Sequence, residues 1–211
     1  MQITILGASG QVGKATLREA LSKGYQVKVL VRSPDKLGDL KEKVTIIKGD
    51  LLDGMSVEQA LQGSVVVINA AGGVKEPDQY RKFQLIGTIL TEKMKLLGIT
   101  RLINISGAVM NLPTEKLDLK RKIMKVFVSL IFRQMKQAQE AFLPIIINDN
   151  NISWTFVRAA MISKKPGTGK VLANDKQMPG TTIMLEDLGK FIVEQITSTE
   201  WIKKAPLVAS K

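Results

Sequence analysis

Four short runs rich in apolar and β-branched residues, at 3–6, 26–31, 44–47 and 65–68, are each followed by polar turn residues and then by a stretch with helical spacing, and a fifth run follows at 102–105. Strands separated by helices cannot pair as tight hairpins; they join by crossovers and form a parallel sheet covered on both faces. The run 65–68 is apolar throughout, as expected of a strand buried on both sides. The longest helix is expected over 76–98, where Phe83, Ile86, Leu90, Met94 and Leu97 recur every three or four residues and form a core-facing stripe. Further along, 152–158 reads as a sixth strand, 164–170 as a loop and 181–184 as a short strand. Glu186-Asp187 then opens a helix with the face Leu188, Ile192, Val193 and Ile196, the two acids sitting where the helix dipole favours them, and 206–209 reads as an edge strand. With 211 residues and 45% hydrophobic content, the chain is long enough for one such domain and too short for two, so a single domain over 1–211 is expected.

The turn after the first run is Gly7-Ala8-Ser9-Gly10-Gln11-Val12-Gly13. A glycine turn that leads from an apolar strand into a helix sets free backbone N–H groups and a positive dipole end where a phosphate can sit. On this reading Gly7 permits the tight turn, Gly10 lets backbone approach a pyrophosphate, and Gly13 lets the helix pack closely, with Ser9, Gln11 and Val12 completing the cradle. The ligand expected is a dinucleotide and the fold a Rossmann-type doubly wound three-layer αβα sheet; a glycine-rich turn without a ligand is the alternative.

Arg32-Ser33 follows the second strand, about 20 residues beyond the glycines, where an NAD-selective site carries an acid for the ribose 2′-hydroxyl. An arginine there offers a planar fork to a 2′-phosphate, with Ser33 and Lys36 able to assist, so NADP(H) is expected in preference to NAD(H). One more surface arginine in a basic protein is the alternative. The fourth strand ends in Asn69-Ala70-Ala71-Gly72-Gly73, whose small residues let backbone pass close to a cofactor ribose at Ala70, Ala71 and Gly72, although a plain loop would use the same residues.

The chain contains no Cys and no His, which excludes thiolate nucleophiles, disulfides, imidazole bases and nearly all zinc sites, and no metal site is expected. Any chemistry rests on Ser, Lys, Tyr, a carboxylate or a cofactor. The formal charge of +12 suits anionic partners. Residues 115–136 concentrate Lys116, Lys120, Arg121, Lys122, Lys125, Arg133 and Lys136 among apolar positions, and read as a solvated helix closing one side of the domain; a membrane surface or partner helix would have the same pattern. No run approaches the roughly 20 apolar residues of a membrane span, and a first strand starting at residue 2 leaves no room for a signal peptide, so a soluble, cytoplasmic monomer or small homo-oligomer is expected. Specific nucleic-acid binding is not expected, because stacking aromatics and reading motifs are lacking.

Taken together, GASGQVG, VLVRS, the Gly-Asp after the third strand, ISGA after the fifth, WTFVRAA and LEDLGKFIVEQI resemble the atypical short-chain dehydrogenases/reductases, in particular the NAD(P)-binding group of NmrA-like proteins and biliverdin reductase B type flavin reductases. The resemblance implies that Asp50, with Leu51, lies against the adenine. It also implies catalytic roles for Ser106 and Lys136, since active members use a Ser after the fifth strand with a Tyr and a Lys four residues later, the Lys lowering the Tyr pKa. Phe132 stands where that Tyr belongs, neither Tyr25 nor Tyr80 takes its place, and Ala160-Met161 falls where the flavin reductase type carries a His. The substrate side is expected mainly from 107–136 and 159–184, with a small C-terminal extension.

Two functions follow as expectations. One is NADPH-dependent hydride transfer to a flat conjugated small molecule such as a flavin or quinone, which spreads the resulting charge and needs no positioned acid. The other is a catalytically silent, NmrA-like NAD(P)-binding redox sensor.

Overall fold

The computed structural model describes residues 1–72, 78–108, 110, 112–113 and 133–211. In chain order these form β1 (Gln2–Leu6), α1 (Gln11–Ser22), β2 (Gln26–Val31), a 3₁₀ segment (Pro34–Lys43), β3 (Thr45–Lys48), α2 (Gly54–Leu61), β4 (Val66–Asn69), α3 (Gln79–Leu96), β5 (Arg101–Gly107), α4 (Arg133–Ile147), β6 (Ser153–Ala159), β7 (Met161–Ser163), β8 (Val171–Asn174), β9 (Thr182–Met184), α5 (Leu185–Glu194) and β10 (Leu207–Ser210). Eight strands make one sheet in the order β3-β2-β1-β4-β5-β6-β10-β8, and β7 pairs with β9 in a small second sheet.

Every pairing of the large sheet is parallel except that of β10 with β8. One apolar layer joins Ile3, Ile5, Val29, Ile68 and Val157 to Leu17 of α1 and Leu188 and Ile192 of α5. The other joins Leu6, Val67, Leu102 and Phe156 to Val57 of α2, Leu90 and Met94 of α3 and Phe142 of α4. This is the expected doubly wound three-layer arrangement. Local sequence explains the helix ends: the Asp53 carboxylate caps α2 by accepting the Met55 and Ser56 N–H groups, each at 3.2 Å. At the end of α1, Gly24 turns into the left-handed region at φ +76°, so that Tyr25 N–H reaches Ala20 O and Gly24 N–H reaches Leu21 O.

Three expectations about strands need correction. The run at 206–209, expected as an edge strand, forms β10 inside the sheet, between β6 and β8. The edge is β8, in a stretch where no strand was expected, because only Val171, Leu172 and Ala173 carry its apolar content. Val65 is 52% exposed and precedes β4 rather than opening it. The expected helix start at 76 and nearly all of the basic segment 115–136 lie outside the described residues; α4 carries its last few positions. Among the described residues, no helix is long and apolar enough to cross a membrane.

Candidate functional site

From β1 the chain proceeds outward to β2 and β3, then returns to place β4 on the other side of β1, which opens a crevice beyond the carboxyl ends of β1 and β4. The glycine turn sits there. Gly7 adopts φ +74°, and a Cβ on it would stand 2.5 Å from the backbone nitrogen of Ala71; a Cβ on Gly13 would stand 2.2 Å from the carbonyl oxygen of Gly7. The fold itself therefore requires both glycines. Gly10 differs: its φ of −76° suits any residue, and a Cβ there meets nothing closer than Gly7 O at 3.4 Å. Gly10 is also the N-cap of α1, where no side chain caps the helix and the first turn holds no acid. The first-turn N–H groups, next to Ser9, Gln11 and Val12, thus face an open cradle with a positive dipole end, which fits a pyrophosphate.

At the ends of β2 and β3, the Arg32 Nε lies 3.9 Å from the Asp50 Oδ2, with both side chains largely exposed. Ser33 is exposed at the start of the 3₁₀ segment and its hydroxyl makes no capping bond. Asp50 also accepts the Leu52 N–H at 2.9 Å, while Leu51 packs half-buried against the core. Arg32, Ser33, Asp50 and Leu51 therefore gather on the flank of the glycine turn.

On the other flank, Asn69 and Asn104 are direct neighbours across β4 and β5, and both are buried. The Asn69 Nδ2 donates to Asn104 Oδ1 at 2.7 Å, Asn69 Oδ1 accepts the Ala71 N–H at 3.1 Å, and the Asn104 Nδ2 donates to Ile105 O at 3.2 Å. This amide chain fixes the loop Ala70-Ala71-Gly72 against Gly7. Beneath it lies a cavity of about 30 Å³, walled by Asn69, Asn104, Phe83, Gln139, Phe142 and Phe156.

Ser106 stands at the carboxyl end of β5, is 5% exposed, and donates a long hydrogen bond of 3.4 Å to Val157 O. The Lys136 ammonium lies 3.5 Å from Glu140 in the next turn of α4. The two side chains thus have different partners. Phe132 is outside the described residues.

Three residues near this edge carry roles that sequence reasoning did not assign. Arg158, fully buried at the end of β6, donates from Nε to Ala205 O at 2.7 Å, and from its two Nη atoms to Met110 O and Asp175 O, each at 3.1 Å, joining three connecting segments to the sheet. A lone cation in the apolar run around it was the one available signal. Asp187 sits in the first turn of α5 as expected and also holds the 164–170 loop: its carboxylate accepts the Thr168 N–H and hydroxyl, the Gly169 N–H and the Ser210 hydroxyl, at 2.7–3.0 Å. Burial pushes this carboxyl up, but those donors outweigh it and hold the group below its ordinary value. Gln139 is the third. Its Oε1 is buried with no hydrogen-bond partner among the described residues.

The Ycf39 photosystem II assembly factor of Cyanophora paradoxa is 42% identical over 72 residues, covering 34% of this chain and 22% of that protein. Cinnamoyl-CoA reductase 1 of Petunia hybrida is 34% identical over 95 residues, covering 41% and 28%. The matches thus span between a fifth and a third of these relatives. The fold is that of ChuY, the anaerobilin reductase of Escherichia coli O157:H7, with a TM-score of 0.81 at 18% identity over 100% of this chain and 97% of that one. The NAD(P)H-binding family matches residues 7–199. The glycine turn, the uncapped α1 and the crevice at the switch of strand order all lie within that match, and the chain belongs to the NAD(P)H-binding family.

Proposed function

We propose that the protein is an NADPH-dependent oxidoreductase that reduces a flat, conjugated small molecule such as a flavin or quinone. The observation that carries this reading is the pair of commitments made by Ser106 and Lys136: the hydroxyl is turned to the β6 backbone and the ammonium to Glu140. Together with Phe132 and the absence of His, this leaves no built proton donor among the described residues of the site.

A bound nicotinamide supplies a hydride. The first turn of α1 holds the pyrophosphate, Arg32 and Ser33 hold the 2′-phosphate, Asp50 and Leu51 flank the adenine, and Ala70, Ala71 and Gly72 border the second ribose. The substrate side draws on 107–136 and 159–184. Reduction of a ketone builds charge on one oxygen and depends on a nearby acid for a factor of about 10²–10⁴. A conjugated ring spreads that charge, so the chain's task reduces to orientation and exclusion of water.

NADPH oxidation against a panel of flavins, quinones, ketones and aldehydes tests the reading. Turnover confined to the flavins and quinones is expected, whereas NADP-linked oxidation of a secondary alcohol would refute it. Binding of NADPH with no turnover on any acceptor would instead favour the silent redox sensor, the reading supported by Phe132 in place of the family's Tyr.

A further inference from the structure

We infer that Gln139 is a ligand-binding residue, its side-chain carbonyl accepting a hydrogen bond from the carboxamide N–H of the nicotinamide; this rests on the cofactor placement proposed above. Gln139 follows Lys136 by three residues, so the two share one side of α4. Its Oε1 is buried and bonded to nothing among the described residues, and Gln139 lines the 30 Å³ cavity under Asn69 and Asn104. Leaving such an acceptor unpaired is unfavourable to the folded protein, so a group that persists in this state calls for a partner from outside the chain.

The surrounding chemistry determines what kind of partner fits. The nearby amide donors are already used: Asn69 Nδ2 by Asn104, and Asn104 Nδ2 by Ile105 O. What the cavity still offers is an acceptor, so its occupant must be a donor. Its volume exceeds the 10–15 Å³ that admits a water and is far too small for a ring, so it takes the end of one polar group. Along the sheet edge, Arg32 and Asp50 lie beyond β2 and β3 and the glycine turn beyond β1, while this cavity begins under Ala71 and Gly72 at the end of β4 and runs between β5 and α4. A dinucleotide whose adenosine half lies on the first pair and whose pyrophosphate lies on the glycine turn brings its nicotinamide half to the third position. The carboxamide is the N–H donor of that half. In its absence the same acceptor suits a single water.

The test compares calorimetric binding of NADP with that of its 3-acetylpyridine analogue, which keeps the carbonyl and replaces the amide nitrogen by a methyl group, in the wild type and in Gln139→Leu. The wild type should favour NADP by about fivefold or more, the value of one neutral hydrogen bond, and the ratio should fall towards one in the variant. The free variant should also melt at a higher temperature than the wild type, since it no longer buries an unpaired oxygen. An unchanged ratio alongside tight NADP binding overturns this inference alone and leaves the cavity as a water site; an equal loss of affinity for both compounds overturns it as well. Failure of the wild type to bind either compound overturns it together with the cofactor placement.

Discussion

The backbone nitrogen of Ala71 stands 2.5 Å from where a Cβ on Gly7 would lie, whereas a Cβ on Gly10 would make only a 3.4 Å contact, with Gly7 O. The fold therefore requires Gly7 for the packing of the β4 loop on β1, while the same packing does not require Gly10, whose proposed role is towards the cofactor. Gly7→Ala should destabilise the fold by at least about 1–3 kcal/mol from its left-handed backbone alone, with the clash adding to this. Gly10→Val should leave the melting temperature near that of the wild type and abolish NADPH binding. Thermal melts beside calorimetric titrations check both variants, and a folded Gly10→Val that binds NADPH normally would make the glycine turn merely structural.

Arg32 lies beside Asp50 at the end of β2, with its side chain 64% exposed and accessible to a phosphate. A charged fork on a phosphate is worth about 1.5–3 kcal/mol, so NADPH should bind roughly tenfold to a hundredfold more tightly than NADH. Arg32→Ala should bring the two affinities together and leave that for NADH little changed. An unaltered ratio would remove Arg32 from the site.

The Asp187 carboxylate is held below its ordinary pKa of 3.8, which fixes the sign of its pH dependence. A lowered folded-state pKa contributes stability that is present above the unfolded value and is lost as pH falls through the folded one. Asp187→Ala should cost about 3 kcal/mol at pH 7, because several donors lose a charged acceptor at once. The gap between variant and wild type in urea denaturation should narrow as pH is lowered below about 4. A gap that stays constant down to acid pH would mean that the carboxylate's charge contributes nothing.

Ser106 donates only a long bond to Val157 O, so Ser106→Ala should reduce flavin or quinone turnover by less than tenfold, well short of the 10²–10⁴ expected for loss of a general acid. Steady-state rates over a pH series measure this, and a hundredfold drop in kcat would give Ser106 a proton-transfer role.

The charge of +12 should produce only weak binding to DNA, falling steeply with added salt and indifferent to sequence. Mobility-shift titrations at two salt concentrations test this. Selective binding that survives physiological salt would point to a regulator.

The glycine turn and most strands and helices are readable from the chain because each is written locally, in a run such as Val66-Val67-Ile68 or in a spacing such as Ile86, Leu90 and Met94, whereas the short strands β7 and β8 carry no such run. Sheet order was less so. Nothing near Leu207 tells that it will pair with Arg158 on one side and Asn174 on the other, since both partners lie far away in sequence. For the same reason Asp187 read as a dipole acid: its partners, Thr168 and Gly169, are 19 and 18 residues upstream. Gln139 gave no signal at all, being one amide among Gln134, Gln137 and Gln139 on an amphipathic helix, and only the burial of its oxygen sets it apart.

The hold of α5 on the 164–170 loop also bears on motion. The Gly167 N–H goes to Glu186, and those of Thr168 and Gly169 go to Asp187, so three successive loop amides are tied to the first turn of one helix. Amides in a surface loop ordinarily exchange with solvent deuterium almost as fast as in an unfolded chain. These three are released only when their carboxylate partners let go, so in hydrogen exchange the loop should open together with the start of α5.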